Sequence, residues 1–264
     1  MGDEAAMTIT DFEGWDGAAL VSGGTGGIGG AICTMLGARR CRVAFTYGRN
    51  RVGAEQLVTE LEEQGAKATA WPLDVTDDPA AERVVAEVAE EFGGIHTFVH
   101  AAGPHIPQIH LSQVTPAQFR ANLDAEVMGF FSLAHYALPH LRAAQGSVVA
   151  VTTVATRRYP VRDGLSVGTK GSVEALVRAL AVEEGRFGVR ANCVGPGMLT
   201  DGMATRLMAS GDLDGAALEV TMKNIPLRRF GRALDIAEAV CFLASARANF
   251  ISGQMLDVDG GYGV

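Results

Sequence analysis

From one end of the chain to the other, short β-branched and apolar runs alternate with longer segments rich in Ala, Leu, Glu and Arg. That alternation constrains the fold more than any other feature, because strands separated by helix-length connections pair in parallel and need helices over both faces. Strands are expected near Ala18 to Ser22, Arg42 to Thr46, Ala68 to Pro72, Thr97 to His100, Ser147 to Thr152, Arg190 to Val194 and Gln254 to Val258. Helices are expected over Gly27 to Ala38, Arg51 to Gln64, Pro79 to Phe92, Pro116 to Leu141, Ser166 to Gly185 and Leu234 to Ser245. Seven such strands fit one doubly wound parallel sheet. With 264 residues, 48% of them apolar, and neither an internal repeat nor a low-complexity linker, one domain over residues 1–264 is expected, preceded by a tail over 1–14.

A formal charge of −8 argues against a nucleic-acid partner and against an anionic membrane surface. Cys33, Cys41, Cys193 and Cys241 lie far apart without a C-x-x-C pair, so they read as buried, reduced thiols rather than a disulfide framework or a zinc site. No stretch reaches about 18 consecutive apolar residues, and the first residues lack the basic start and apolar middle of a signal peptide. A cytoplasmic location is the expectation.

After the first strand comes Ser22-Gly23-Gly24-Thr25-Gly26-Gly27-Ile28-Gly29, opening directly into a helix. Glycines there allow a tight turn, close backbone approach to a pyrophosphate and close helix packing, while the helix N-terminus offers free N–H groups to phosphate oxygens. This strand, turn and helix together point to a Rossmann-type dinucleotide site. The second strand ends in Thr46-Tyr47-Gly48-Arg49-Asn50-Arg51. A carboxylate at that place would bind the ribose 2′-hydroxyl and repel a 2′-phosphate; none is present, and Arg49 or Arg51 suits a phosphate, so NADP(H) is the expected cofactor. The other reading leaves both arginines as solvated surface.

The stretch Thr152 to Lys170 resembles the short-chain dehydrogenase/reductase family, whose members carry a Ser ahead of Tyr-x-x-x-Lys. Further matches are Asp74-Val75 at the adenine, His100-Ala101-Ala102-Gly103 in place of Asn-Asn-Ala-Gly, Pro196-Gly197 beside the nicotinamide with Thr200 near the family's Thr, and the tail Ile251 to Tyr262. The resemblance implies a cofactor contact from Lys170 and a substrate lid over 198–229, where Met198 and Met203 join His105 and Tyr159 as candidate pocket residues. It also implies assembly as a homotetramer or homodimer, for which the apolar positions around Val127 to Phe131 and Val173 to Leu180 are compatible, though both also read as core.

The chain departs from the family at three catalytic positions: Ser166 stands at the Tyr, Thr153 at the Ser and Glu126 at the helix Asn. A phenol titrates near about 10 and is made acidic by a neighbouring ammonium; a serine hydroxyl is a far poorer acid. Tyr159 is too distant from Lys170 to be a register slip, and Asp163 occupies the position of the longer Tyr-x6-Lys spacing of enoyl-acyl-carrier reductases. The retained Lys, missing Tyr and helix carboxylate are similar to the peroxisomal type of 2,4-dienoyl-CoA reductase. That similarity implies reduction of a conjugated C=C bond, with Lys170, Ser166 and Thr153 at an enolate oxygen and Glu126 supplying a proton through water. The substrate would be a small molecule, an acyl-CoA or acyl-carrier thioester among them.

Several alternatives stay open. Glu126 pairs internally with Lys170, or Asn122 one turn earlier supplies the amide instead. Arg157, Arg158 and Arg162 form either a solvated loop or a phosphate site. His100, His105 and His110 lack the accompanying ligands of a metal site and read as loop or core residues. Carbonyl reduction with a substitute proton donor, and NADP(H) binding without turnover, remain the two rival functions.

Overall fold

A computed structural model describes residues 11–104, 106–201 and 215–264. Seven strands form one parallel sheet in the order β3-β2-β1-β4-β5-β6-β7. They are β1 (Ala18–Ser22), β2 (Val43–Tyr47), β3 (Ala68–Pro72), β4 (Ile95–His100), β5 (Ser147–Val151), β6 (Arg190–Pro196) and β7 (Met255–Val258). This is the Rossmann-type architecture expected from the alternation. β4 begins ahead of the expected Thr97, and β6 continues beyond Val194 to Pro196.

The helices are α1 (Gly27–Ala38), α2 (Arg51–Glu63), α3 (Asp78–Phe92), α4 (Pro116–Asn122), α5 (Gly129–Ala144), α6 (Ala155–Arg158), α7 (Gly164–Glu184), α8 (Gly215–Asn224) and α9 (Ala233–Ala244). Local chemistry sets their ends. Asp77 accepts from the Ala80 N–H at the start of α3, Pro79 occupies its first turn and left-handed Gly93 (φ 78°) stops it. Thr115 and Gln118 form a reciprocal capping box at α4.

Two apolar cores cover the sheet. On one face Ile32 and Leu36 of α1, Leu57 and Leu61 of α2 and Ile236 and Val240 of α9 pack on Val43, Phe45 and Val149. On the other, Val84 and Val88 of α3, Phe130 and Leu133 of α5 and Val173 and Val177 of α7 pack on Leu20, Phe98 and Val148. Both faces being covered explains why the strands read as continuous apolar runs. Among the described residues no helix is long and apolar enough to cross a membrane.

The helix expected from Pro116 to Leu141 is not continuous. Leu123–Met128 forms a π-helical segment between α4 and α5. Such a segment widens one turn, rotates the side chains that follow, and often occurs at functional sites. Glu126 lies within it.

Candidate active site

The carboxyl ends of β1, β4, β5 and β6 converge on one side of the sheet, and the strand order reverses between β1 and β4, the place where doubly wound sheets bind ligands. Gly23 there has φ +76°, and a Cβ on it would lie 2.7 Å from Ala102 Cα. A Cβ on Gly29 would lie 2.2 Å from Gly23 O. Only glycine permits this turn to close against both α1 and the Ala101-Ala102 backbone. The N-cap of α1 is Gly26, with no side-chain cap. Its first-turn N–H groups, those of Gly27, Ile28 and Gly29, are thus left for an anion, which fits a dinucleotide pyrophosphate. Ile28 packs at the edge of the core, and Thr25 is partly exposed on the turn.

At the end of β2 the two arginines differ. Arg51 donates to Glu55 at 2.7 Å across one turn of α2. Arg49 is exposed and its charge acts on Asp74. Asn50 caps α2, its Oδ1 accepting from the Gly53 N–H at 3.1 Å. The Asp74 carboxylate accepts from both the N–H and hydroxyl of Thr76, which hold its pKa below the usual value. Val75 packs against the core beneath.

At the centre of the crevice, Ser166 lies in the first turn of α7 and is buried, with Lys170 one turn on along the same face. The Lys170 ammonium donates to Glu126 Oε1 at 2.7 Å and to the Val151 carbonyl, at the end of β5, at 3.4 Å. The lysine side chain is 17% exposed and the glutamate 1%. The internal pairing open at the sequence level is therefore formed, and Glu126 meets the crevice only through Lys170. Its second oxygen, Oε2, is buried without a hydrogen-bond partner among the described residues. Asn122 points its amide N–H at the Gln118 carbonyl, and its Oδ1 is buried with no partner among the described residues. Thr153 Oγ1 accepts from the Ala155 N–H at 3.1 Å, so its own O–H is left to donate outward.

In the cluster at the crevice mouth Arg158 and Arg162 are exposed, as a solvated loop would have them, and Arg157 is not. Arg157 is drawn inward, donating to Glu174 at 3.1 Å and lying 3.7 Å from Asp257. Arg158 donates to the Tyr262 carbonyl at 2.6 Å and stacks over the Tyr262 ring at 4.3 Å. Neither guanidinium is an uncommitted phosphate ligand. Tyr159 ends α6 in a left-handed conformation (φ 43°) with its side chain 68% exposed. Asp163, in the position of the longer spacing, is partly buried beside Gln108, and burial raises its pKa.

Pro196 and Gly197 continue β6, the Pro196 carbonyl accepting from the Val154 N–H at 3.1 Å. Met198 is half-buried beside them, and Thr200 bonds the Gly231 carbonyl. His105 and Met203 lie outside the described residues. Among the described residues no group of three or more His, Cys, Asp and Glu side chains is placed to hold a metal ion.

His100 is a buried core residue, one of the two roles expected of it, and its side-chain partner is what the sequence left unspecified. It sits opposite Ser22 in the β1–β4 register, fully buried, its Nδ1 3.0 Å from Ser22 Oγ. Burial drops its pKa to about 4. A histidine ending a strand otherwise apolar at Phe98 and Val99 was the available signal.

With this geometry in place, the likenesses are specific. The protein family described as Enoyl-(Acyl carrier protein) reductase matches residues 23–263. Versicolorin reductase stcU of Emericella nidulans is 32% identical over 249 residues, covering 92% of this chain and 94% of that one. L-fucose dehydrogenase of Mus musculus is 35% identical over 244 residues, covering 92% of this chain and 86% of that one. The crystal structure of a blue fluorescent protein from a metagenomic library in complex with NADPH superposes with a TM-score of 0.87 at 28% identity, covering 97% of this chain and 100% of that one.

Proposed function

The chain belongs to the short-chain dehydrogenase/reductase family, and from that premise we propose that it is an NADPH-dependent reductase of an activated C=C bond, with an enoyl or dienoyl thioester as substrate. The observation that carries the reading is the Lys170–Glu126 pair beside a buried Ser166, an arrangement with cationic charge and a proton store but no phenol aimed at a carbonyl oxygen. The family match supports an oxidoreductase, and the NADPH held by the metagenomic neighbour supports the cofactor.

The glycine turn and the uncapped start of α1 would hold the pyrophosphate, Arg49 the 2′-phosphate, and Lys170 the nicotinamide ribose. A reduced nicotinamide bound there would supply hydride to the β-carbon of an enoyl thioester, or to the far end of a conjugated diene. Negative charge then collects on the thioester oxygen, where Lys170 Nζ, the Thr153 O–H and the Ser166 O–H are the donors. The proton that the α-carbon requires comes from the Lys170 Nζ–Glu126 Oε1 pair and is replaced from solvent at the part-exposed lysine. Net addition is one hydride and one proton across the double bond.

Carbonyl reduction or alcohol oxidation is the second reading, favoured by the dehydrogenase among the relatives. It requires a substitute acid. Tyr159 is largely in solvent, which makes it a poor one.

NADPH oxidation measured against enoyl-CoA, dienoyl-CoA, 3-oxoacyl-CoA and simple ketones separates the readings. Turnover of the conjugated thioesters is expected, with loss in Lys170→Ala and no gain in Ser166→Tyr. Turnover of ketones alone refutes the proposal, and tight NADPH binding with no turnover on any substrate points to a binding protein instead.

A further inference from the structure

Among the described residues, Glu126 Oε2, His100 Nε2 and Asn122 Oδ1 are buried without hydrogen-bond partners. Buried polar groups are almost always hydrogen-bonded, so a cluster of three asks for an explanation. The donor and acceptor character of each follows from its neighbours. Ser22 Oγ receives the N–H of Ala102 at 3.3 Å and that of Ala101 at 3.2 Å, the latter shared with the Ser22 carbonyl at 3.2 Å, so both of its lone pairs face donors. Its single proton is therefore directed at the remaining contact, His100 Nδ1 at 3.0 Å. With Nδ1 accepting, a neutral His100 must carry its proton on Nε2. The unpartnered nitrogen is thus a donor, and both unpartnered oxygens are acceptors.

The placement is as specific as the chemistry. The His100 ring meets Phe130 edge-on at 5.4 Å, and Phe130 lies four residues after Glu126, in the first turn of α5. A Cβ added to Gly103, just beyond His100, would lie 3.0 Å from Glu126 Oε2. Asn122 precedes Glu126 by four residues, at the end of α4 where the π segment begins. The charges acting on the His100 ring are Glu126 from the π segment and Lys170 from α7.

We propose that His100 is a positioning residue for Glu126: its Nε2–H, oriented by Ser22, donates to one buried water that in turn donates to Glu126 Oε2 and Asn122 Oδ1, holding the carboxylate with Oε1 on Lys170. Three polar partners suit one internal water. The inference rests on Lys170 and Glu126 forming the proton-handling pair of the proposed reaction, yet its structural half can be tested without turnover.

The protein labelled with 15N-histidine should show, in two-bond 1H–15N spectra at pH 7, a single Nε2–H tautomer for His100, assigned by its loss in His100→Gln. The His100 Hε2 resonance should move in Glu126→Gln. An Nδ1–H tautomer, or an Hε2 resonance indifferent to Glu126→Gln, overturns the proposal. In turnover, His100→Leu should lose about tenfold in kcat, the worth of one hydrogen bond. His100→Gln, which keeps an N–H donor, should recover most of that loss; equal losses in the two variants overturn the positioning role. If no substrate is turned over, the proposed function fails while the two spectroscopic outcomes still decide the place of His100.

Discussion

Lys170 Nζ lies 2.7 Å from Glu126 Oε1, joining a side chain that reaches the crevice to one sealed beneath it. A charge buried to that extent is tolerated because its partner is in contact, and the cost of removing one partner exceeds the worth of the pair. Lys170→Met should destabilise the fold by about 3 kcal/mol. The double variant Glu126→Gln with Lys170→Met should recover much of it, because no unpaired charge remains. Urea denaturation of the two single variants and the double variant closes the cycle; strictly additive effects would mean that the pair carries no coupling.

Arg49 and Arg51 were equivalent candidates for a 2′-phosphate, and the Arg51–Glu55 bond at 2.7 Å separates them. Arg49→Asp should lower the preference for NADP(H) over NAD(H) by about tenfold or more, in line with loss of a charge-assisted contact. Arg51→Ala should change it little. The ratio of NADPH to NADH dissociation constants measures this, and an unchanged ratio in Arg49→Asp removes the assignment.

His96 and His100 are both buried and each has its pKa lowered to about 4. In the unfolded chain a histidine titrates near about 6.5. Between these values the unfolded state binds more protons, so the stability each histidine leaves intact above pH 6.5 is lost as pH falls toward 4. Denaturation midpoints should decline across that window. Partly buried Asp163 and Asp257, with raised pKa values, act in the opposite direction, so the contribution of His100 is read from its own variant. In His100→Gln the decline should be shallower by about one proton; an unchanged slope would show that His100 is protonated when folded.

Arg190 ends far from its neighbours in sequence, donating to the carbonyls of Leu243, Ala244 and Ser245 at 2.6 to 3.0 Å. These are the free carbonyls at the end of α9. Arg190→Met should destabilise the protein by about 3 kcal/mol, since buried acceptors lose their donors. Thermal unfolding tests it, and a loss below that of an ordinary surface substitution would refute the capping role.

Strand and helix periodicity is local, which is why β1, β3 and α1 match their expected bounds. The glycine turn was legible for a similar reason, since a positive φ at Gly23 and the close contact at Gly29 exclude every side chain. The π segment was not legible. Leu123-Asp124-Ala125-Glu126-Val127-Met128 suits an ordinary helix, and no local pattern in it marks the wider turn.

By itself, the sequence determined the layered α/β architecture, the dinucleotide-type turn and the odd set of Ser166, Thr153, Glu126 and Lys170, because periodicity, backbone sterics and residue chemistry are properties of short segments. Tertiary structure alone decided which charges meet. Glu126 takes the ammonium of Lys170, Glu174 and Asp257 take Arg157, and Ser22 is the partner that meets His100 Nδ1. Each of those choices depends on side chains brought together from separate strands and helices, where burial makes a partner compulsory and no local pattern says which one it is.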